Sequence, residues 1–253
     1  MTRQRRSRIV DFVREHGEAR VVDLAKTFET SEVTIRGDLA YLEKCGLLIR
    51  DRGGAIAPPR ELTRLLGIEQ RMGLHPEEKR RIGKAAAELV RPGDRIIMDA
   101  GTTVVEMASH LADLASLTVV THALNVAMAV GAATSAELIH LGGSFNRESA
   151  SNLGPLAERT LADIRVHKLF MGTQALGSET GLTDTTMQIA QMKRAMINAA
   201  EEVILLADSS KWGVTGFIKV APITAVHHFI TDKGFPDDGK SLLEQAGIKV
   251  TTV

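Results

Sequence analysis

The chain is short of the residues that usually announce a chemistry. It holds one cysteine, Cys45, in 253 residues. Neither a disulfide framework nor a cysteine zinc site can be assembled within one chain, and a reduced, cytoplasmic setting is expected. Aromatic residues make up only 4%, with a single Trp and a single Tyr. That scarcity argues against a stacking platform for single-stranded nucleic acid. No apolar run reaches the ~18 residues of a membrane span. The opening Met1-Thr-Arg-Gln-Arg-Arg-Ser-Arg8 has charge but no apolar stretch behind it, unlike a signal peptide. The net charge is zero, so nothing global announces a nucleic-acid partner.

What is present is unevenly distributed. Residues 1–60 carry 12 basic and 9 acidic residues, whereas the remainder carries 19 and 22. A modestly basic head on a modestly acidic body fits a phosphate-facing module joined to something else. The length allows two domains, and a 44% hydrophobic content supplies ample core.

In the head, the stretch Thr30–Gly46 reads as a capped helix. Ser31 suits the N-cap, Gly46 suits the left-handed position after the last turn, and Ile35, Leu39 and Leu42 make one apolar stripe. Val33, Gly37, Ala40, Tyr41 and Lys44 then face outward, with Thr34 and Arg36 on the flanks, a face that a major groove accepts. Residues 3–15 read as an earlier helix, with Ile9, Phe12 and Val13 inward and Arg3, Arg5, Arg6 and Arg8 at its start. Positive charge there opposes the helix dipole; it is either a solvated run or one offset by nearby phosphates. Residues 21–28 form a short middle helix, with Val22, Ala25, Leu24 and Phe28 expected inward. Together these make a helix-turn-helix. Leu47–Ile56 follows as a hairpin whose tip holds Arg50, Arg52, Gly53 and Gly54, a wing able to touch backbone phosphate or a minor groove.

The segment 3–57 resembles the winged helix-turn-helix of the DeoR family of bacterial transcription regulators. The resemblance is carried by Ser31-x-x-Thr34-Ile-Arg-x-Asp38-Leu39, then Leu42-Glu43 and Gly46-Leu47-Leu48, then Arg50-x-x-Gly53-Gly54-Ala55. It implies that Ser31, Thr34 and Arg36 are recognition-helix residues and that Arg52 to Ala55 are the wing; the outward-facing Tyr41 and the hairpin-tip residues Arg50, Arg52, Gly53 and Gly54 complete the expected DNA-binding set. Position 37 departs from the pattern: the family usually has Arg or Lys, and this chain has Gly.

Ala55-Ile-Ala-Pro-Pro-Arg60 marks the end of the head, since consecutive prolines disfavour helix. The expected organisation is a DNA-binding domain over 1–57, a connector over 58–75 and an effector domain over 76–253. Pro76 suits a helix start. Beyond it, short apolar runs at 95–99, 117–121, 138–141, 168–171, 203–207, 228–231 and 248–252 alternate with helical segments, the pattern of a mostly parallel sheet in an α/β domain.

Ligands of such sheets sit outside the C-terminal strand ends. After the first strand comes Asp99-Ala-Gly101-Thr102-Thr103 and a helix over 104–111, an anion seat suited to phosphate. It is neither a dinucleotide fingerprint nor a Walker loop, so no cofactor is expected. Thr121, His122 and Asn125 follow the second strand, and Gly142-Gly143 the third. Gly172-Thr173-Gln174 follows the fourth, and a loop then leads to Asp184. The fifth ends in Asp208-Ser-Ser-Lys211. Five successive strand ends with this chemistry suit a polyhydroxylated, phosphorylated small molecule.

This body resembles the DeoR-family effector domain, similar in fold to ribose-5-phosphate isomerase and CoA-transferase subunits. The matching pieces are Asp99-x-Gly-Thr-Thr103, Thr121-x-x-x-Asn125, Leu141-Gly-Gly143, Asn152-x-Gly154, Phe170-x-Gly172, Lys193-Arg194 and Asp208-Ser-Ser-Lys211. The resemblance implies that Asp99–Thr103 and Lys211 hold a phosphosugar, with Lys193 in the same site. His122 and Thr173-Gln174 depart from the family's usual residues and stand where effector identity would be set. The implied protein is an operator-binding repressor of sugar metabolism, a dimer or tetramer, with no metal and no catalytic residue. The alternative is a sugar-phosphate isomerase or CoA-transferase-like enzyme with a DNA-binding head, for which Asp99 and Asp184 are the available bases. Against it, Gly172-Thr-Gln-Ala175 stands where the isomerases place carboxylates, and an amide cannot abstract the proton beside a carbonyl.

Overall fold

The computed structural model describes residues 2–253 apart from 45–46, 52, 58–60, 63–66 and 112–113. The readings attached to Cys45, Gly46, Arg52 and Pro58-Pro59 lie outside the described residues. Two compact units form, one of residues 1–61 and 69–76, the other of residues 62–68 and 77–253.

The first unit begins with α1 (Thr2–His16), β1 (Glu18–Arg20), α2 (Val21–Thr27) and α3 (Glu32–Lys44). The strands β2 (Ile49–Asp51) and β3 (Gly54–Ile56) then form the wing hairpin. Ile9 and Val13 of α1 and Ile35, Leu39 and Leu42 of α3 are buried as their spacing predicts. Burial stabilises by ~1.5–3 kcal/mol for each such side chain, which outweighs the ~1 kcal/mol that a mid-helix glycine costs α3. In α2 the inward face differs from expectation. Val21 and Leu24 are buried, while Val22 is exposed and Ala25 and Phe28 are half-buried. The wing gains a third strand, because β1 pairs antiparallel with β3 and sets Ala19 opposite Ala55. Three residues are too few to show a period in the sequence.

The arginines of α1 are also redirected. Nε of Arg5 and Nε of Arg6 each donate to the Asp38 carboxylate at 2.7 Å, and Asp38 is buried on α3. Arg6 stacks over the Tyr41 ring at 3.9 Å, and Arg8 lies 5.3 Å from the Phe28 ring. A buried carboxylate needs paired cations, so Arg5 and Arg6 lock α1 to α3 and are neither a solvated run nor a phosphate grip.

The strand β4 (Glu61–Leu62) and helix α4 (Ile68–Met72) follow. Residues 69–75, expected within the connector, cluster with the first unit together with Pro76. There the backbone N–H of His75 donates to Ser7 Oγ at 3.2 Å, and His75 Nε2 lies 3.7 Å from Asp11 Oδ1.

The second unit starts with α5 (Pro76–Ala87), β5 (Arg95–Met98), β6 (Thr118–Thr121), α6 (Leu124–Ala133) and β7 (Glu137–His140). A hairpin of β8 (Ser144–Asn146) and β9 (Ser151–Leu153) leads to α7 (Pro155–Ala162) and β10 (Val166–Gly172). Then come β11 (Ala175–Gly177), β12 (Gly181–Asp184), α8 (Met187–Ala199) and β13 (Ala200–Leu206). The unit closes with β14 (Thr215–Gly216), β15 (Ile218–Ala221), β16 (His228–Thr231), α9 (Asp237–Gln245) and β17 (Lys249–Thr252).

All seven expected apolar runs become strands of one parallel sheet, ordered β17-β16-β13-β10-β5-β6-β7. Their period of two sends alternate residues to opposite cores. Ile96, Met98, Phe170 and Ile204 pack on one face, and Ile97, Leu169, Met171 and Leu205 on the other. Two local readings change. The loop expected between Gln174 and Gly181 begins with strand β11, which pairs with β12 in an antiparallel sheet, β11-β12-β15. The segment after Thr103 is a 3-10 helix, Val104–His110, rather than an α-helix. Chain order reverses between β5 and β10, the switch point at which such sheets open a crevice.

Candidate functional site

On the first unit the start and exposed face of α3, expected to read DNA, are well ordered by local bonds. Ser31 Oγ accepts from the Thr34 N–H at 3.2 Å and lies 2.9 Å from Thr34 Oγ1, so Ser31 is the N-cap. Arg36 Nη2 donates to Glu32 Oε2 at 2.7 Å, with side chains 56% and 43% exposed. Arg50, on β2, offers its N–H to Glu43 Oε1 at 3.1 Å, and its guanidinium lies 3.9 Å from Glu43 Oε2. Exposed pairs of this kind are worth ~0.3–0.5 kcal/mol. Pairs this weak leave both guanidinium groups available to a stronger partner. Gly53 and Gly54 form the wing turn, with Gly53 at φ +84°. A Cβ on Gly54 would stand 2.3 Å from the Ala19 carbonyl oxygen, which fixes glycine there. Tyr41 is exposed, with its ring occupied by Arg6.

On the second unit, Asp99 ends β5 and Gly172 ends β10, so the two flank the switch point. Asp99 Oδ2 accepts from the Gly172 N–H at 3.1 Å, and Oδ1 accepts from the Ala100 N–H at 2.7 Å. His122 Nε2 lies 3.1 Å from Asp99 Oδ1, and its Nδ1 lies 3.0 Å from the Asn152 carbonyl oxygen. A carbonyl only accepts, so Nδ1 carries a proton. Burial pushes the Asp99 carboxyl up. The His122 hydrogen bond, the Lys193 and His122 charges and the Ala100 N–H together outweigh that and hold it below its ordinary 3.8. Asp99 is therefore an ionised anchor.

Lys193, on α8, donates from Nζ to Asp184 Oδ2 at 2.9 Å, with both side chains buried. The small antiparallel sheet is what delivers Asp184. Gly101, Thr102 and Thr103 are buried beside Asp99, and Gly101 approaches Gly172 closely. Asn125 stands in the first turn of α6, three residues after His122. Its Nδ2 and Oδ1 are both buried without a hydrogen-bond partner. A buried amide left with donor and acceptor unused is a strong pointer to a polar ligand.

Thr121 and Thr173 are bonded within the scaffold. Thr121 Oγ1 donates to the Met98 carbonyl at 2.7 Å and accepts from the Ala123 N–H. Thr173 Oγ1 donates to the Ala175 carbonyl at 2.9 Å. Gln174 is half-buried between them in sequence. Gly142 and Gly143 are exposed, and Gly143 passes against the Leu153 carbonyl. Asp208 and Lys211 stand at the end of β13, two strands from β5, with Nζ 3.9 Å from Asp208 Oδ2. The carbonyl of Asn152, which orients His122, had no signal in the sequence, because backbone groups carry none. Among the described residues, no group of three or more His, Cys, Asp or Glu is arranged to hold a metal ion. No described helix is long and apolar enough to cross a membrane.

A winged reading head, with a buried polar site at the switch point of a separate α/β unit, defines a transcription regulator with DNA-binding and sensing parts. The chain belongs to the DeoR family: residues 5–61 match the DeoR-like helix-turn-helix domain and residues 74–233 the DeoR C terminal sensor domain. It is 35% identical to a putative aga operon transcriptional repressor of Escherichia coli O157:H7, over 100% of this chain and 94% of that one. It is 34% identical to the HTH-type transcriptional repressor GlcR of Bacillus subtilis, over 96% and 93%. Among solved structures, ribose 5-phosphate isomerase A of Methanocaldococcus jannaschii is similar over 54% of each chain, with 17% identity and a TM-score of 0.40. That likeness is too distant to carry chemistry.

Proposed function

We propose that this regulator represses an operon of sugar or sugar-derivative metabolism. It binds its operator as a dimer or tetramer in the cytoplasm, and leaves when a phosphorylated sugar or sugar derivative occupies the switch point. The carrying observation is the Asn125 amide, buried and without partners three residues after His122, which pairs with Asp99. Gly101, Thr102 and Thr103 offer the phosphate seat, and Asp99, Asn125 and Lys193 the polar contacts for hydroxyls. Ser31, Thr34 and Arg36 read the operator, with Arg50 and the wing glycines on its backbone. The repressors named above support the regulatory reading over an isomerase or transferase.

A ligand shifts DNA affinity only through its different affinity for the two states. Operator binding should therefore be measured by fluorescence anisotropy with a panel of pentose, hexose and amino-sugar phosphates. At least one should weaken binding in the wild type and lose its effect in Asn125→Leu, whose DNA affinity stays intact. A panel with no active member sinks the sensor reading. Arg36→Ala should cost ~1–3 kcal/mol of operator affinity at fixed salt; unchanged affinity would remove α3 from the reading role.

A further inference from the structure

Strand β7 is the outermost strand on its side of the sheet, and its Glu137, Ile139 and His140 are exposed. The Glu137 and Leu141 N–H groups donate inward, to the Leu117 and Thr121 carbonyls at 2.9 Å. By the alternation of a strand, the N–H and C=O groups of Leu138 and His140 point outward. Proteins usually blunt such an edge with lysine, proline or a covering segment. β7 contains no lysine, arginine or proline, and its one carboxylate, Glu137, accepts from Thr118 Oγ1 on β6 at 3.1 Å. The opposite edge strand, β17, carries an exposed Lys249.

Apolar side chains gather around the same edge. Ile139 is 38% exposed and pairs with Val120, so it faces the sheet side that carries α7. On that side Leu156 of α7 is exposed and lies against Gly142, two residues beyond β7, and Phe145 of the following strand β8 is exposed too. On the other side α6 exposes Leu124 and Met128 one turn apart, Met128 by 70%. Monomeric proteins rarely leave such a combination uncovered.

We infer that this edge is the interface between two copies of the chain, with β7 pairing antiparallel to β7 of the second copy across a two-fold axis. The occupant follows from symmetry. With Ile139 on the axis, Leu138 falls opposite His140 of the second copy and His140 opposite its Leu138. These two hydrogen-bonded positions use all four outward backbone groups of each strand. Ile139 then meets its own copy at the non-hydrogen-bonded position, and the exposed apolar residues flank the seam on both faces. A self-complementary patch is what a two-fold interface requires. The inference rests on the regulator reading in one respect: a head with one reading helix needs a second copy to recognise a two-fold operator.

Sedimentation equilibrium of the full chain tests it. The wild type should sediment at a multiple of 27.3 kDa. Ile139→Lys should halve that mass with unchanged circular dichroism, whereas Phe217→Lys, at an exposed phenylalanine elsewhere, should not. In a Cys45→Ser background, Ile139→Cys should form a disulfide-linked dimer under mild oxidation, because Cα atoms at such a position stand ~4.5 Å apart. Lys249→Cys should not. Ile139→Lys should also weaken binding to a two-half-site operator by about 100-fold, with single half-site binding retained. A monomeric wild type, or an unchanged mass in Ile139→Lys with no cross-link in Ile139→Cys, overturns the interface. Operator binding and its response to sugar phosphates in the wild type report on the regulator reading separately.

Discussion

Gly37 sits exposed in the middle of α3, and a Cβ built there meets nothing within 4 Å. With no packing to lose, helix propensity decides, so Gly37→Ala should stabilise the first unit by ~1 kcal/mol, read as a raised urea midpoint of the Tyr41 signal. The carboxylates carry the pH dependence. Burial raises Asp94, but the Lys168 ammonium at 2.7 Å, the Arg91 N–H and His167 outweigh it and hold its pKa below 3.8. Asp99 is depressed in the same direction. A depressed carboxylate stabilises the fold fully above its unfolded value and loses that contribution as the pH falls through the folded one. Acid unfolding driven by these two groups should therefore set in progressively as the pH falls toward 3.8 and continue below it. Asp94→Asn should lower stability at neutral pH and flatten the acid limb of a urea-midpoint titration. An acid limb as steep as the wild type's would rule Asp94 out.

At the scale of elements, a second helical glycine gives the opposite expectation. Gly83 is buried in α5, and a Cβ there would stand 2.6 Å from Glu106 Cβ and 3.0 Å from the Glu106 carbonyl carbon. Gly83→Ala must push α5 away from the 3-10 segment Val104–His110, at a cost of ~1–3 kcal/mol. Melting followed by Trp212 fluorescence should shift down, and an unchanged midpoint would mean the two elements separate freely. The sequence alone could not distinguish the two glycines, since both interrupt a helical pattern. The sheet was legible because parallel strands are buried on both faces and so read as continuous apolar runs, as at Val203–Leu206. The buried face of α3 was legible from its stripe of Ile35, Leu39 and Leu42. What escaped was whatever depends on a distant partner. β1 is a strand only because β3 is there to pair with it. Arg5 and Arg6 look like free charge until Asp38 is seen buried opposite them. Of the candidate site, Asp99, His122 and Lys193 could be named in advance. Asn125 was named as well, but that its amide is buried without a partner, and that the Asn152 carbonyl stands behind His122, required coordinates.

For the whole molecule, the single tyrosine and single tryptophan fall in different units. Tyr41 lies under Arg6 in the first, and Trp212 packs edge-to-face on Phe235 at 5.1 Å in the second. Each unit thus has its own optical reporter, and linkage between DNA and effector becomes measurable as stability. Asp38→Asn, which weakens the pairing of α1 with α3, should lower the Tyr41 transition and leave the Trp212 transition in place. Operator DNA should raise the Tyr41 transition. A sugar phosphate at 100 times its dissociation constant should raise the Trp212 transition by ~2.7 kcal/mol. If effector binding releases DNA, the two ligands oppose each other, and reciprocity requires each to weaken the other's binding by the same factor. With both present, each transition should then gain less than with its own ligand alone, by an equal amount of about 1–3 kcal/mol. Fully additive gains would mean that DNA and effector bind without communicating, and release would have to be abandoned even though both ligands bind.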